Sequence, residues 1–265
     1  MRFECYASGS DGNAYTLDDG QTRILIECGL RYRVLQERLG WTAATCKGCL
    51  VTHEHMDHAR AADRLIAMGI PVYMTAGTAD KLGASGAQII APLVPFMVGT
   101  LVIKAFDVVH DAAQPVGYMI YSTVTREKLI FATDTNCLPV KVNTADYLAL
   151  ECNYCAASLE PSDIHPTLKA RIAESHMSLE EFLRLVNMNR IESRNDLDEN
   201  PQVKTKLAET NQTSKLRRIY LLHLSKSRGD APEFQRRIMA ATGVETVVCG
   251  WDGDDTNVDR AARHN

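Results

Sequence analysis

A layered α/β fold, with sheets inside and helices outside, is what this sequence predicts, and three observations predict it. Short apolar runs rich in β-branched and aromatic residues recur along the chain, broken by turn residues. Stretches with helical periodicity are interspersed among them. Four of the apolar runs end in a histidine or an aspartate, as happens where strands deliver functional groups to one rim. With 265 residues, 45% of them hydrophobic, the chain can bury a large core. It reads as a single domain over residues 1–265 with one polar excursion at about 187–215.

The elements follow in order. FECYAS, NAYTL and RILIECG form a strand meander, the last two joined by the turn Asp18-Asp19-Gly20. Leu30, Val34, Leu35 and Leu39 repeat at helical spacing, and Gly40 closes that helix. CLVTH is a strand, followed by a helix from about Ala59 to Met68 with Gly69 as its stop. IPVYMT, TLVIKAFDVVH, VGYMIYS, KLIFATD and YLALECN are strands. Helices are expected around 166–174, 178–188 and 231–241, with RIYLLHLS and ETVVCGW as the final strands. The stretch Asn187 to Lys215 is polar and poor in core residues, which marks a surface excursion.

Bulk properties exclude several functional classes. The net charge of −4 carries no global signature of nucleic-acid binding. Locally, Pro201 to Ala240 holds nine Lys/Arg against Glu209, Asp230 and Glu233, which is either a face for a phosphate-bearing substrate or a solvated surface. No stretch has the length and apolarity of a signal peptide or a membrane span, so a cytoplasmic protein is expected. The eight cysteines then read as thiols. The pairs Cys46–Cys49 and Cys152–Cys155 lie far beyond the roughly 15–20 residues that separate the halves of a zinc ribbon. Cys49 and Cys152 also sit in apolar runs, where a thiol acts as a small hydrophobe.

The candidate ligands carry the chemistry. CLVTH ends at His53, FDVVH at His110, IFATD at Asp134 and YLLH at His223, and the loop after His53 adds His55, Asp57 and His58. Taken singly, His110 and His223 read as core histidines, but a loop gains nothing structural from three imidazoles in six residues. Five imidazoles and two carboxylates exceed one tetrahedral ion and suit two ions sharing a carboxylate. Imidazole and carboxylate without thiolate suit zinc, manganese or iron. The H-E-x-x-H pattern is excluded, because Asp57 stands where the second histidine is required.

THEHMDH, followed by His110, Asp134 and His223, resembles the metallo-β-lactamase fold of hydrolases, whose signature is H-x-H-x-D-H with a later His, Asp and His. ASGSDGNAY, LECNY, LKARIAESHMSLEE and RIYLLHLSK are similar to its YycJ-like (WalJ-like) branch of phosphodiesterases and DNA exonucleases. The resemblance implies a four-layer αβ/βα sandwich of two mixed sheets flanked by helices, with a dinuclear site on their rim. It implies that His53, His55 and His110 hold one divalent ion and Asp57, His58 and His223 the other, zinc or manganese, with Asp134 between them. Two departures are visible. Glu27 stands where the family has aspartate, and Ser175-His176-Met177-Ser178-Leu179 replaces Gly-His-x-Ser-Asn.

The implied activity is that of a metal-dependent phosphodiesterase, a DNA exonuclease whose nucleophile is a hydroxide shared by the two ions. Asp57, Asp134 and His176 are the expected catalytic residues, His176 as general acid or phosphate contact. Its competing role is local, since Ser178 and Glu181 behind it form a capping box. Ser8, Ser10 and Asn13 lie in a glycine-rich turn suited to an anion, and Lys169 and Arg171 could clamp a phosphate. Glu54 and Glu151 are candidates for orienting ligand imidazoles. The expected partners are DNA or a small phosphodiester such as a cyclic nucleotide, no membrane, and a homo-oligomer as an option. Alternatives are hydrolysis of a thioester or lactone by the same site, and a non-catalytic binding protein of the same fold.

Overall fold

The computed structural model describes residues 1–142, 144–159, 165–188 and 216–250. Two sheets face each other. The first runs β1(Arg2–Ala7), β2(Ala14–Asp18), β3(Arg23–Ile26), β4(Cys49–Leu50), β5(Val72–Thr75) and β6(Gln88–Ile90) in chain order. The second runs in the opposite sense, from β13(Glu245–Val248) through β12(Arg218–Leu222), β11(Tyr147–Glu151), β10(Lys128–Ala132), β9(Val116–Ser122) and β8(Leu101–Asp107) to β7(Phe96–Val98). Both are mixed. In the first, β1 to β3 pair antiparallel and β3 to β6 parallel. In the second, β7 to β10 pair antiparallel and β10 to β13 parallel.

Strand periodicity builds the layers. Successive side chains point to opposite faces. Ile24 and Ile26 of β3 therefore meet Leu129 and Phe131 of β10 between the sheets, while Leu25 faces outward. Outside the first sheet lie α1(Tyr32–Arg38), α2(Met56–Ala59), α3(Ala62–Ala67) and α4(Ala76–Leu82), packed through Leu35, Leu65 and Ala79. Outside the second lie α7(Leu179–Met188) and α8(Ala231–Thr242), packed through Phe182, Phe234 and Ile238 against Ile219 and Leu221. Two mixed sheets with helices on both outer faces make the four-layer sandwich that the family resemblance implies. Two further helices, α5(Ala156–Leu159) and α6(Pro166–Ser175), stand at the rim.

Several local expectations need correction. The single helix expected from Ala59 to Met68 is two short helices, α2 and α3, the first starting at Met56. The helix begins inside the histidine cluster because the amides of His58 and Ala59 bond the carbonyl of His55. CLVTH is a strand only over Cys49–Leu50, since the chain leaves the ladder to present His53. The elements α4, β6 and β7 have no counterpart in the sequence reading, because each is short and carries no clear period. The polar excursion lies outside the described residues from 189 onward.

Candidate metal centre

The parallel ladders gather the site. β10, β11 and β12 run side by side in register, so Asp134, Glu151 and His223 emerge from one edge of the second sheet. β3 and β4 pair in the same way in the first sheet and release Glu27 and His53 opposite them. Glu27, Asp134 and His223 each have a positive φ, of 63°, 50° and 51°. Non-glycine residues seldom take that conformation, and a surrounding structure must enforce it. The loop bearing Asp57 and His58 is fastened by backbone bonds from Asn13 and Cys28 to the carbonyls of Asp57 and His58. It passes so close to Gly29 that a Cβ there would stand 1.6 Å from the Asp57 carbonyl oxygen, which only glycine permits.

The seven predicted ligands come together as two sets that share Asp134. In the first, His55 Nδ1 lies 3.1 Å from His53 Nε2 and 3.2 Å from His110 Nε2. Asp134 Oδ2 lies 3.6 Å from His110 Nε2 and 3.9 Å from His53 Nε2. In the second, His58 Nε2 is 3.3 Å from Asp57 Oδ2 and 3.2 Å from Asp134 Oδ2, and His223 Nδ1 is 3.0 Å from Asp134 Oδ1. Burial, aided by His58, holds His53 well below the usual imidazole range, and burial lowers His110 as well. Neutral rings keep their lone pairs, the state a metal ligand needs. For His58 and His223 burial opposes the charge, yet Asp134 and its neighbouring carboxylates outweigh it and raise both. Burial also resists charge on Asp134, but His223 and His58 hold its carboxyl well below the usual range. Three imidazole nitrogens converging, two of them within 3.1–3.2 Å of the third, beside an ionised buried carboxylate, fit a divalent cation. In the second set the same negative charge calls for positive charge that a second cation can supply.

A second ring of contacts holds these donors. Glu27, fully buried, accepts the Thr52 amide at 3.2 Å and stands 3.6 Å from His58 Nδ1. Burial pushes its carboxyl up against the pull of His58. Asn13 donates Nδ2 to the Asp57 carbonyl at 3.1 Å, and that atom lies 3.2 Å from His58 Nε2. Ser8 accepts the His223 amide through Oγ at 2.8 Å, and Asn153 donates to the His223 carbonyl at 2.7 Å. Asn13 and Ser8, read from sequence as a substrate wall, thus hold ligands and backbone from behind. Glu54 accepts the Ala113 amide at 2.8 Å and so pins the loop after His110; no bond joins it to a ligand imidazole. Glu151 lies 3.2 Å from His223 Nδ1 and 2.6 Å from His176 Nδ1, and accepts the Thr135 amide at 2.8 Å.

Over the donors opens a cleft of about 190 Å³, lined among others by Ser10, His55, Asp57, Asp134 and His223, and by Leu168, Arg171, Ile172 and Ser175 of α6 with the adjoining His176. Lys169, on the same helix, is half-buried and does not line it. Ser178 caps α7 by accepting the Glu181 amide at 3.1 Å, so the local role and the place of His176 in the cleft coexist. Burial opposes protonation of His176, but the Glu151 carboxylate raises it to about 9. Arg217, Arg218, Lys226, Arg236 and Arg237 each pair with a carboxylate while Arg228 donates to Ser225 Oγ, so most of the described part of the basic stretch is neutralised locally; residues 201–215 lie outside the described ones. All eight cysteines are free. Among the described residues no helix is long and apolar enough to cross a membrane.

Comparison with known proteins agrees with this geometry. The profile of the Beta-lactamase superfamily domain matches residues 22–193, more than half of the chain. The chain is 25% identical over 189 residues to Exodeoxyribonuclease YycJ of Bacillus anthracis, covering 65% of this chain and 70% of that one. It is 25% identical over 200 residues to Exodeoxyribonuclease WalJ of Streptococcus pneumoniae, covering 68% and 74%. Among solved structures, the metallo-beta-lactamase fold protein YhfI from Bacillus subtilis superposes with a TM-score of 0.65 at 16% identity, covering 93% and 95% of the two chains. The chain belongs to the beta-lactamase superfamily and has the metallo-β-lactamase fold of hydrolases.

Proposed function

We propose that this beta-lactamase-superfamily hydrolase is a dinuclear metal-dependent phosphodiesterase that removes nucleotides from the end of DNA. The observation that supports this most is Asp134, which both donor sets share: its Oδ2 faces His53 and His110 of one set and His58 of the other, and its Oδ1 faces His223. Bound divalent ions would supply a nucleophile, by drawing the pKa of a coordinated water toward about 7, together with charge stabilisation. The chain's own groups do the rest. Asp134 sets the spacing of the two halves. Glu27, 3.6 Å from His58 Nδ1, orients that ring from its outer side as a carboxylate does for a ligand histidine, and Asn13 holds the Asp57 carbonyl beside it. Glu151 keeps His176 as an imidazolium at neutral pH with Nδ1 engaged, so Nε2 can pass its proton to the departing alkoxide. Arg171 and Ser10 on the cleft wall meet the phosphate. The two exodeoxyribonuclease relatives support DNA as the substrate. The small cleft suits a chain end, and equally the second reading, a small cyclic phosphodiester.

The first test is hydrolysis of bis-p-nitrophenyl phosphate by protein loaded separately with Mn²⁺ and Zn²⁺, beside the His58→Ala variant and a chelated control. Metal-dependent turnover lost in both controls supports the phosphodiesterase reading, and labelled single-stranded DNA against cyclic nucleotides then separates the two substrates. No turnover with either metal, despite about two bound ions per chain as two donor sets require, transfers the proposal to a thioester or lactone. A chain that takes up no metal sinks it.

A further inference from the structure

Arg171, on the wall of the cleft, is engaged by Asp111. Its Nη2 donates to Asp111 Oδ2 at 3.0 Å, and the other oxygen of that carboxylate lies 3.9 Å from His55 Nε2. His55 turns its Nδ1 the other way, toward the donors His53 and His110. One carboxylate and one imidazole ring therefore separate the guanidinium from the donor centre. It lines the cleft with Leu168, Ile172 and Ser175 of the same helix, within reach of a substrate lying over the donors. The pair is also weak. Both side chains are largely exposed, at 66% and 55%, and a single N–O contact joins them. Such pairs contribute little to stability. A phosphate offers a guanidinium two parallel hydrogen bonds and a higher charge than a carboxylate touched once.

We infer that Asp111 is a placeholder for a substrate phosphate: it occupies Arg171 in the free protein and yields it to the phosphate neighbouring the scissile one. This rests on the phosphodiesterase reading and narrows it to substrates with at least two adjacent phosphates. No bond forms or breaks in the exchange; one ion pair replaces another. A nucleoside monophosphate, with nothing beyond its one phosphate, leaves the Asp111–Arg171 pair in place.

The test is binding, measured by fluorescence anisotropy in chelator so that it does not depend on turnover. The ligands are a short 5′-labelled single-stranded DNA and, by competition, a nucleoside monophosphate. The proteins are wild type, Asp111→Asn, Arg171→Gln and the double variant. The expected result is that Asp111→Asn tightens the oligonucleotide by about five-fold, the upper range for an exposed pair, and that the gain vanishes in the Arg171→Gln background. The competitor shows no such coupling. A gain that persists without Arg171 makes Asp111 a general repulsive charge and overturns the inference, as does no gain at all. Equal coupling for the monophosphate overturns the neighbouring-phosphate part. Failure of the two readings is distinguishable: coupled binding without cleavage of DNA by the metal-loaded wild type removes the function and leaves the placeholder standing.

Discussion

The floor of the cleft and its rim are built from the same side chains, carboxylates facing cations, yet they follow opposite rules. At the floor, Asp134, His58, His223 and Glu151 are buried, and each is engaged by more than one neighbour. At the rim Arg171 with Asp111, and on the open surface Lys226 with Asp11, are single contacts between exposed groups. In a low-dielectric interior an unmatched charge is costly, so every floor group must be balanced. In water the same contact is nearly neutral and can be exchanged. The floor is made for fixed geometry and the rim for turnover of partners.

Four changes break or sharpen that contrast, in falling order of expected effect. Asp134→Asn removes the charge that both donor sets share, and turnover of bis-p-nitrophenyl phosphate should fall by on the order of 10³-fold, because several kcal/mol of charge stabilisation go with it. Metal content by elemental analysis should fall with it; a variant within ten-fold of wild type would mean that the two sets do not depend on one carboxylate.

His176→Ala should slow DNA cleavage by about 10²-fold, the lower end of the usual range for a general acid. Nitrophenolate leaves without a proton, so the nitrophenyl substrate should suffer much less. Equal losses on both substrates would make His176 a phosphate contact instead. The pH profile gives a second reading. Glu151 raises the folded pKa of His176 from 6.5 to about 9, so the imidazolium persists at neutral pH. In the metal-free protein the His176 imidazolium should therefore be lost as pH rises through about 9, read by NMR titration of the ring. The stability this pair contributes is fully present below the unfolded value of 6.5 and is lost over the same upper window.

Gly29→Ala tests the backbone side of the floor. Its Cβ would collide with the Asp57 carbonyl, and overpacking of this kind costs about 1–3 kcal/mol or more. The melting temperature should drop by several degrees, and an unchanged one would show slack in the ligand loop. Lys226→Ala, on the open surface, should change stability by no more than about 0.5 kcal/mol in denaturant titration. A larger loss would erase the distinction between exposed contacts and the floor.

Much of the floor was legible in the sequence. His53, His110, Asp134 and His223 could be placed on one rim because each follows an apolar run, and strand ends in such folds converge. His55, Asp57 and His58 stood out by crowding alone. The supporting contacts were far less legible. Asn13 and Ser8 suggested an anion-binding turn, yet they brace His58 and His223, residues 45 and 215 positions away. Glu54 looked like an orienter of imidazole and instead pins the Ala113 amide. Glu27 showed itself only as a glutamate at a strand end, with nothing local to say that it faces His58.

By itself the sequence determined the fold class, the run of main strands and the set of candidate donors, because period, turn residues and residue chemistry are local properties that any short window displays. Only the tertiary structure decided which oxygen of Asp134 meets which imidazole, that Glu151 reaches both His176 and His223, and that Asp111 holds Arg171 over the cleft. Those choices depend on strand register, on positive φ at Glu27, Asp134 and His223, and on the approach of Gly29 to Asp57. Each is a contact between segments distant in sequence, set by how two whole sheets pack rather than by any residue's own preference.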